Sequence, residues 1–504
     1  MGSLKRGPLP EWKEKKNKQK RELMIAQCKQ SWEKARVGHL SDKERKPLIE
    51  SLMNQITGHV EEILLKHDAS RIIQCCIKYG TQEDIKKIYG ELKPKMNEFI
   101  KSKYGKFIVL ALLNHCKSLR PEIMALCTGR VEELLKNKDS AFMIEVIYHT
   151  YASPKQKKSM VSELYSIQVC KNPQLNGMVL SKIIEENPSL NEVIKTHMRK
   201  LLFTLVQKGG LGDMTIILRA LVEFISLYDA EEFVDLLQEQ VVEFLHHKDG
   251  MRVANYLIRK ANAKSRKIIL KSFKPHLAKI YMEEYGHLVL LTAFRCVDDT
   301  KMMHKYLISD IILNLDSVEL LTNQFSRRVL AYLLTMSIKL VPNNYAIMLA
   351  EDDLKSESTS KKDAITRFDE LKEAAVVESM SYIIVNCKSL MTTEGIDLLE
   401  SLFTFGDENT SNQIIKAMQT EIEQDPSVLG NIQFRKLATR CLKSPQSNLF
   451  LTSFEPFIIA HVDDLVASDS KYLVTAFLKT SDNLKSILKQ KTDLDMTFWS
   501  KHIE

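Results

Sequence analysis

The sequence predicts an all-α protein, an α-solenoid built from stacked three-helix repeats. Its 504 residues include only 17 glycines and 13 prolines, about half the usual share, which argues against a turn-rich all-β fold and against disorder. Hydrophobic residues make up 44% of a chain that is longer than one compact core normally fills, so several domains or a repeat array should follow. An apolar pattern with helical spacing then recurs about every 36 residues.

Eight segments carry this repeat, and each has a small residue that serves as its marker. The spacings between successive markers are 36, 35, 36, 37, 37, 36 and 40 residues. The residues three, four, seven and eight positions past a marker share one helical face, and all 32 of them are apolar. A short helical stretch precedes and follows each middle helix, and three helices in about 36 residues must stack on their neighbours to bury a core. The markers are Ala69, Gly105, Ser140, Asn176, Asp213, Gly250, Gly286 and Ser326.

Composition divides the chain into four parts. Residues 1–46 form a basic N-terminal arm or helix, and residues 47–340 contain the regular repeats. Residues 341–368 include the polar run EDDLKSESTSKKD and are predicted to form a solvated loop or hinge. Residues 369–504 continue the repeat in a degenerate form, with irregularly spaced markers near Gly395, Ser447 and Ser470.

The net charge of +8 is unevenly distributed along the chain. Residues 1–46 carry +8, residues 47–315 carry +7 and residues 316–504 carry −7, which indicates an anionic partner at the basic end. The arm contains a lysine-rich run that is typical of a nuclear import signal or a nucleic-acid-binding arm. The alternative is an exposed first helix with i,i+4 ion pairs. The run consists of Lys13, Lys15, Lys16, Lys18, Lys20 and Arg21.

Sequence patterns for catalysis, cofactors and metals are missing. GxxxxGK, GxGxxG, HExxH and GxSxG do not occur, so we expect no enzyme activity, no cofactor and no bound metal. The adjacent acids Asp298 and Asp299 suggest a two-metal nuclease, but such pairs are far more often helix caps or solvated charges. Nine cysteines without a CxxC pair predict reduced thiols in an intracellular protein, and no apolar run is long enough for a membrane span.

The middle helices resemble those of the Pumilio (PUF) family of RNA-binding solenoids. The segments HDASRIIQCCIKYG, HKDGMRVANYL, YGHLVLLTAFRCVDDTK, SRRVLAYLL and SKKD occur in that order and are similar to the Puf-A branch, nucleolar PUF-like proteins with a trailing CPL region. The resemblance covers essentially the whole chain from Trp12 onward. It implies an L-shaped array of about eleven repeats and a nucleolar role in processing pre-ribosomal RNA for the large subunit.

The resemblance also implies which residues face RNA. In PUF repeats the residues one, two and five positions past the marker project onto the concave face, and here these positions lie opposite the apolar quartet. Ser70, Arg71 and Gln74 resemble the family's adenine-reading set, whereas leucine or alanine at other base-edge positions cannot bond a base. Phe107 and Phe142 are candidate stacking platforms. The candidate RNA-binding residues are Ser70, Arg71, Gln74, Lys106, Phe107, Arg252, Asn255, His287, Arg327 and Arg328.

The hypothesis is therefore a monomeric, non-catalytic RNA-binding solenoid of the nucleus and nucleolus that is largely indifferent to base sequence. Its expected partners are pre-ribosomal RNA, with messenger RNA or DNA bound non-specifically, and pre-ribosomal proteins, but no membrane. One alternative is a protein-binding scaffold of the HEAT or armadillo kind, whose basic residues would meet an acidic peptide. A second alternative is a sequence-specific regulator of messenger-RNA translation, which the degenerate code disfavours because only one or two bases are readable.

Overall fold

The computed structural model describes residues 11–64, 66–314, 318–356, 360–467 and 470–490, and all regular structure in these ranges is helical. The side chains of residues 11–18, 20, 21, 352–356 and 467 lie outside this description. The prediction of an all-α solenoid is confirmed.

The chain forms two compact units. The first consists of Met1–Gly209 and Asp213–Tyr228, and the second of Gly210–Gly212 and Asp229–Glu504. The division falls within the regular repeats and not at the predicted loop.

The first unit begins with two helices that precede the repeats, and five middle helices follow. The helices are α1 (Glu11–Ala35), α2 (Asp42–Ile56), α3 (His67–Tyr79), α4 (Gly105–His115), α5 (Lys138–Val146), α6 (Leu180–Glu186) and α7 (Thr215–Leu227). Other helices lie between them, namely Val60–Ile63, Gln82–Leu92, Met96–Ile100, Arg120–Ala125, Val131–Leu135, Pro154–Ser162, Ile167–Lys171 and Asn191–Val206.

The second unit contains the other three middle helices and the C-terminal helices. These are α8 (Lys248–Lys260), α9 (Gly286–Cys296), α10 (Gln324–Thr335), α11 (Asn343–Ser356), α12 (Ala364–Val385), α13 (Ile396–Phe405), α14 (Glu408–Gln424), α15 (Ile432–Cys441), α16 (Ser447–Ala460), α17 (Lys471–Leu478) and α18 (Asp482–Lys489). The other helices of this unit are Glu232–Leu237, Ala263–Phe273, Leu277–Met282, Thr300–Met303, Ser309–Leu313, Val318–Thr322, Cys387–Thr392 and Val462–Ala467.

The apolar quartets form the core between stacked helices. All but three of the 32 quartet residues are buried, and the exceptions are Tyr148, Val179 and Ile184. The predicted register of the middle helices is therefore the observed one.

The marker must be small because the preceding helix ends against it. A Cβ atom on Gly250 would lie 1.9 Å from the carbonyl oxygen of Phe244, so only glycine fits there. Where the marker is Ser140, its hydroxyl instead donates a hydrogen bond of 2.6 Å to the carbonyl of Leu134. The same six-residue relation joins Gly105 to Phe99, Gly286 to Ile280, and Ser326 to Leu320.

Arginines from later helices cap the C-terminal ends of several middle helices. Arg120 donates to the carbonyl of Leu113 in α4, and Arg266 donates to two carbonyls in the last turn of α8. Arg367 donates to the carbonyl of Arg295 in α9. A cation at this end satisfies unpaired carbonyls and interacts favourably with the helix dipole. These arginines are therefore used by the fold.

The prediction of a loop or hinge over residues 341–368 is wrong for most of that range. Asn343–Ser356 is helical, and α12 begins at Ala364. Between α11 and α12, the described residues 360–363 are non-helical. They are held in place because Asp298 accepts hydrogen bonds from the backbone N–H groups of Lys361 and Lys362. The polar composition of this stretch suits an exposed helix as well as a loop.

Within the described ranges, no helix combines the length and apolar character that crossing a bilayer would require. None of the nine cysteines, all of which lie in the described ranges, forms a disulfide, and eight of them are buried.

Candidate nucleic-acid interface

The predicted base-reading set on α3 is only partly accessible. Ser70 is buried, its hydroxyl donates to the carbonyl of Tyr104 at 3.4 Å, and it accepts a hydrogen bond of 3.0 Å from the Gln74 amide. The Gln74 side chain is half-buried, and its bond to Ser70 already uses one of its amide donors. Arg71 is exposed and forms no ion pair with a described residue. The prediction that Ser70 faces solvent is wrong, whereas Arg71 is available to a phosphate.

An exposed aromatic pair connects the next two repeats. Phe107 on α4 is 41% exposed and Phe142 on α5 is 38% exposed, and their ring centroids lie 6.2 Å apart. Both occupy the second position past their markers, which is the predicted stacking position. Large apolar side chains of this kind are normally buried, so two of them side by side on the surface indicate a site for a flat ligand.

Lys106 holds this pair together. Its ammonium lies 5.1 Å from the centroid of each ring, in the range of cation–π attraction. It also forms an ion pair of 2.8 Å with Asp139, and only 15% of its side chain is exposed. Its charge is therefore largely compensated, and its role at this surface is to position the rings.

Lys103 is a further exposed cation of the second repeat, which the marker pattern does not predict. It is exposed, its ammonium is 5.5 Å from the Tyr104 ring, and it has no ion pair among the described residues. It precedes the marker Gly105 by two positions, so a search confined to residues after the marker does not include it. The run KSKYGKF, with three lysines, was the available signal.

The two predicted RNA-binding residues of α8, Arg252 and Asn255, differ in their exposure to solvent. Arg252 is half-exposed and lies 3.8 Å from Asp249 in a loose pair. Asn255 is 1% exposed, its amide nitrogen contacts the sulfur of Met251 at 3.4 Å, and its Oδ1 atom has no partner among the described residues. The prediction that Asn255 reads a base is therefore contradicted by its burial, while Arg252 keeps access to solvent.

His287 on α9 is completely buried. Its ring stacks on Phe325 with centroids 5.1 Å apart, Nδ1 contacts the carbonyl of Glu283 at 2.9 Å, and Nε2 lies 3.3 Å from Nη1 of Arg328. Burial, together with the nearby Arg328 cation, lowers the pKa of His287 to about 4. The prediction of a cationic or solvent-facing histidine is wrong, because the neutral ring accepts a hydrogen bond from Arg328.

Both arginines on α10 are engaged within the protein. Arg327 is 4% exposed, donates to the carbonyl of Glu394 and pairs with Asp397 at 3.4 Å, which attaches α10 to the start of α13. Arg328 is half-buried and donates to the carbonyl of Leu340 at 2.9 Å. Arg327 is a structural residue, so its predicted exposure on a phosphate-binding face is wrong.

The arginines of the basic segment RKANAKSRK are buried, whereas lysines within it and after it are exposed. Arg259 and Arg266 are buried, and Arg266 caps α8. Three lysines lie on one face of the helix Ala263–Phe273, at positions i, i+3 and i+7. All three are exposed and form no ion pair with a described residue, and they are Lys264, Lys267 and Lys271.

The predicted basic arm is helical in its backbone, as part of α1. The helix is attached to the first repeat through an ion pair of 3.2 Å between Glu22 and Lys66 and one of 2.5 Å between Lys29 and Asp68. The side chains of the lysine-rich run, Lys13, Lys15, Lys16, Lys18, Lys20 and Arg21, lie outside the described part of the structure.

The adjacent acids that suggested a metal site have structural roles. Asp299 caps the helix Thr300–Met303 by accepting from the N–H group of Met302. Asp298 accepts from Arg367 at 2.9 Å and from Ser360 at 2.8 Å, and these bonds together with backbone N–H groups lower its pKa to about 2. Among the described residues, no cluster of three or more histidines, cysteines or carboxylates could hold a metal ion.

The first unit thus offers a surface with flat hydrophobic rings, exposed cations and few groups that read a base edge. Such a surface favours stacking and phosphate contact over recognition of particular bases. In the second unit, Arg252 and the lysine stripe of the helix Ala263–Phe273 provide further cations with access to solvent.

Comparison with known proteins gives one family match and several relatives. Residues 322–453 match the CPL (NUC119) domain. The chain is 29% identical over 410 residues to rat "Pumilio homolog 3", and the alignment covers 78% of this chain and 63% of the relative. It is 29% identical over 467 residues to the fission yeast (Schizosaccharomyces pombe) "Pumilio homology domain family member 6", covering 90% of this chain and 71% of the relative. The chain therefore spans less than two thirds of the rat relative's length.

The fold is also similar to a solved structure. Human Puf-A, crystallised in complex with DNA, superimposes with a TM-score of 0.79 at 24% identity, and the match covers 92% of this chain and 95% of the human chain. At this level of identity the match concerns the fold.

Proposed function

Because this chain is a Puf-A-like member of the Pumilio family, we propose that it is a non-catalytic protein that binds single-stranded RNA largely without regard to sequence. The observation that carries the proposal is the exposed pair formed by Phe107 and Phe142, with their ring centroids 6.2 Å apart. Every base has a π-face, so stacking on such rings tolerates any sequence.

Binding would be anchored by phosphate contacts beside the rings. Arg71 and Lys103 are exposed on the first unit and are not neutralised by a described carboxylate, whereas Lys106 is paired with Asp139. Neutralising phosphates releases condensed counterions, so the affinity falls steeply as salt is added.

Discrimination between bases is small because few side chains can reach a base edge. Gln74 is the one predicted reading residue of the first repeat that keeps partial exposure, and Asn255 is buried. One good bidentate contact contributes about 1–3 kcal/mol of discrimination, which is far less than an eight-base code requires. We therefore place the protein among general RNA binders and not among sequence-specific regulators of messenger RNA.

In the cell, we infer a role in nucleolar processing of pre-ribosomal RNA and assembly of the large ribosomal subunit. The resemblance to the Puf-A branch and the lysine-rich arm, Lys13 to Arg21, support this inference. Identification of the transcripts that crosslink to the chain in cells tests it, with pre-ribosomal RNA as the expected main product. A profile without pre-ribosomal RNA would contradict the role while leaving the RNA-binding proposal intact.

The binding proposal is tested by removing the aromatic platform. We expect the double variant Phe107→Leu with Phe142→Leu to bind a labelled 20-nucleotide single-stranded RNA at least about tenfold more weakly, because stacking contributes about 1–3 kcal/mol per base. Fluorescence anisotropy with three unrelated RNA sequences measures the effect, which should be similar for all three.

Phe203→Leu provides a matched control, since Phe203 is also a partly exposed phenylalanine of the first unit but lies on the helix Asn191–Val206. It should leave the affinity within about twofold of wild type. Wild-type affinity in a folded double variant would refute the platform.

A further inference from the structure

The C-terminal part of the second unit contains a basic cleft in an otherwise acidic region. Residues 316–504 carry 20 basic and 27 acidic residues. Helices α15 and α17 nevertheless border an open cleft of about 390 Å³ that no described carboxylate lines. The charged and aromatic side chains of this cleft are Arg435, Lys436, Arg440, Lys443, Tyr472 and Lys479.

The cations of the cleft differ in how far they are already engaged. Lys443 and Lys479 are exposed, and neither forms an ion pair with a described residue. The ammonium of Lys436 contacts only the side-chain oxygen of Gln433, at 3.3 Å, among the described groups. Arg440 is held by Asp397 at 2.6 Å and by Glu400 at 3.0 Å, so it forms a wall of the cleft and is not available to a ligand.

Tyr472 supplies an aromatic surface beside these cations. It is 50% exposed, and the guanidinium of Arg435 lies 5.3 Å from its ring centroid. A half-exposed tyrosine ring with a cation over it and lysines around it is an arrangement that single-strand-binding grooves use, in which the ring stacks on a base and the lysines contact phosphates.

The fold does not depend on the exposed lysines Lys443 and Lys479. The residues that attach α15 to its neighbours lie on the opposite face and are fully buried, and they are Phe434, Leu437, Ala438 and Cys441. Exposed lysines that gather around one cleft without compensating carboxylates repel one another, which is a cost unless an anion binds.

We propose that this cleft binds a nucleotide segment of single-stranded RNA, with a base stacked on Tyr472 and phosphates at Lys443 and Lys479. The proposal rests on the RNA-binding function proposed above and adds a second contact, located in the region whose overall charge would repel RNA. An acidic peptide would satisfy the cations, but the exposed tyrosine ring favours a ligand that carries flat bases.

The test uses the full chain and a fluorescein-labelled 40-nucleotide oligouridylate. In the double variant Lys443→Gln with Lys479→Gln, we expect the affinity to fall about five- to tenfold, and the slope of log affinity against log salt to decrease by about 1.4, because two phosphate contacts of a single strand are lost. In Tyr472→Leu, we expect a loss of about fivefold with an unchanged slope, since stacking is not an ionic contact.

The matched control is Lys416→Gln with Lys489→Gln, which removes two exposed lysines of the same region away from the cleft. It should leave both the affinity and the salt slope as in wild type. Equal behaviour of the cleft and control variants, with wild type still binding RNA, would overturn this site and leave the proposed function standing. Failure of the wild type to bind would instead overturn the proposed function, and this site with it.

A further arm separates RNA from a protein partner. A labelled oligoglutamate peptide is titrated against the same variants. Peptide binding that is lost in the Lys443→Gln and Lys479→Gln variant, together with unaffected RNA binding, would overturn the proposal in favour of a protein-docking cleft. RNA binding that depends on both lysines and on Tyr472 supports it.

Discussion

The predicted RNA-facing positions have opposite environments in two regions of the array. In the second and third repeats, Phe107 and Phe142 project into solvent next to Lys106. In the seventh and eighth repeats, His287 and Arg327 stand at positions that the same register places on the same side of the helix, yet both are buried. The repeat register therefore determines which side of a helix a residue lies on, but not whether another helix covers that side.

The covering helices can be identified. In the second unit, α11 and α12 pack against α9, and α12 and α13 pack against α10. Arg327 is bound to the first turn of α13 through Asp397, and Arg328 to the segment before α11 through Leu340. In the first unit, the main partners of α4 are its neighbours in the stack, α3 and α5 among them. The cations of the late repeats therefore stabilise the junction with the degenerate repeats, and the early repeats keep their surface for a ligand.

The largest loss of stability is expected from a substitution at the buried Arg327. Arg327→Met should lower the free energy of unfolding by about 3 kcal/mol, because the Glu394 carbonyl and one oxygen of Asp397 lose a buried charged donor. Urea unfolding followed by circular dichroism measures it.

Arg71→Met is the control for Arg327→Met, since Arg71 is the exposed arginine of the first repeat. It should change the unfolding free energy by less than about 0.5 kcal/mol and weaken RNA binding instead. Equal stability of the two variants would show that Arg327 is not a structural residue.

A smaller effect is expected from pH. The pKa of His287 is lowered from 6.5 to about 4 in the folded protein, so as the pH falls the unfolded chain takes up this proton first. The stabilising contribution of the neutral ring is complete above about pH 6.5 and is lost progressively towards pH 4. Between pH 7 and pH 5 the loss amounts to about 2 kcal/mol.

Urea titrations at the two pH values, compared with those of His287→Gln, isolate this contribution. The variant should lose about 2 kcal/mol less than wild type over the same interval, because it has no proton to take up at this position. An identical pH dependence in both proteins would mean that the pKa of His287 is not lowered in the folded protein.

The sequence predicts the periodic features of this molecule well. The apolar quartets, the small markers and the exposure of Phe107 and Phe142 follow from helical spacing and from the need to stack repeats. Helical spacing is a local property, so it survives without knowledge of the rest of the fold. The resemblance to the Puf-A branch added the family, which the relatives confirm.

Features that depend on distant helices could not be predicted from spacing. Burial of Arg327 requires Asp397, which lies 70 residues later, and the basic cleft joins Lys443, which follows α15, to Lys479, which follows α17. Polar composition wrongly predicted a loop at residues 351–356, where the chain continues the helix α11. A basic run in the sequence also does not show which of its arginines are free to contact a ligand. A guanidinium caps helix carbonyls well, as Arg266 does for α8.

We expect RNA to contact the open surface of the second and third repeats and not the covered face of the seventh and eighth. Photocrosslinking of the full chain to a single-stranded RNA containing 4-thiouridine, followed by mass spectrometry of the crosslinked peptides, tests it directly. Crosslinks should occur in peptides that contain Phe107 or Phe142. Crosslinks in the peptides of α9 and α10 around His287 and Arg327, with none in α4 or α5, would contradict the account.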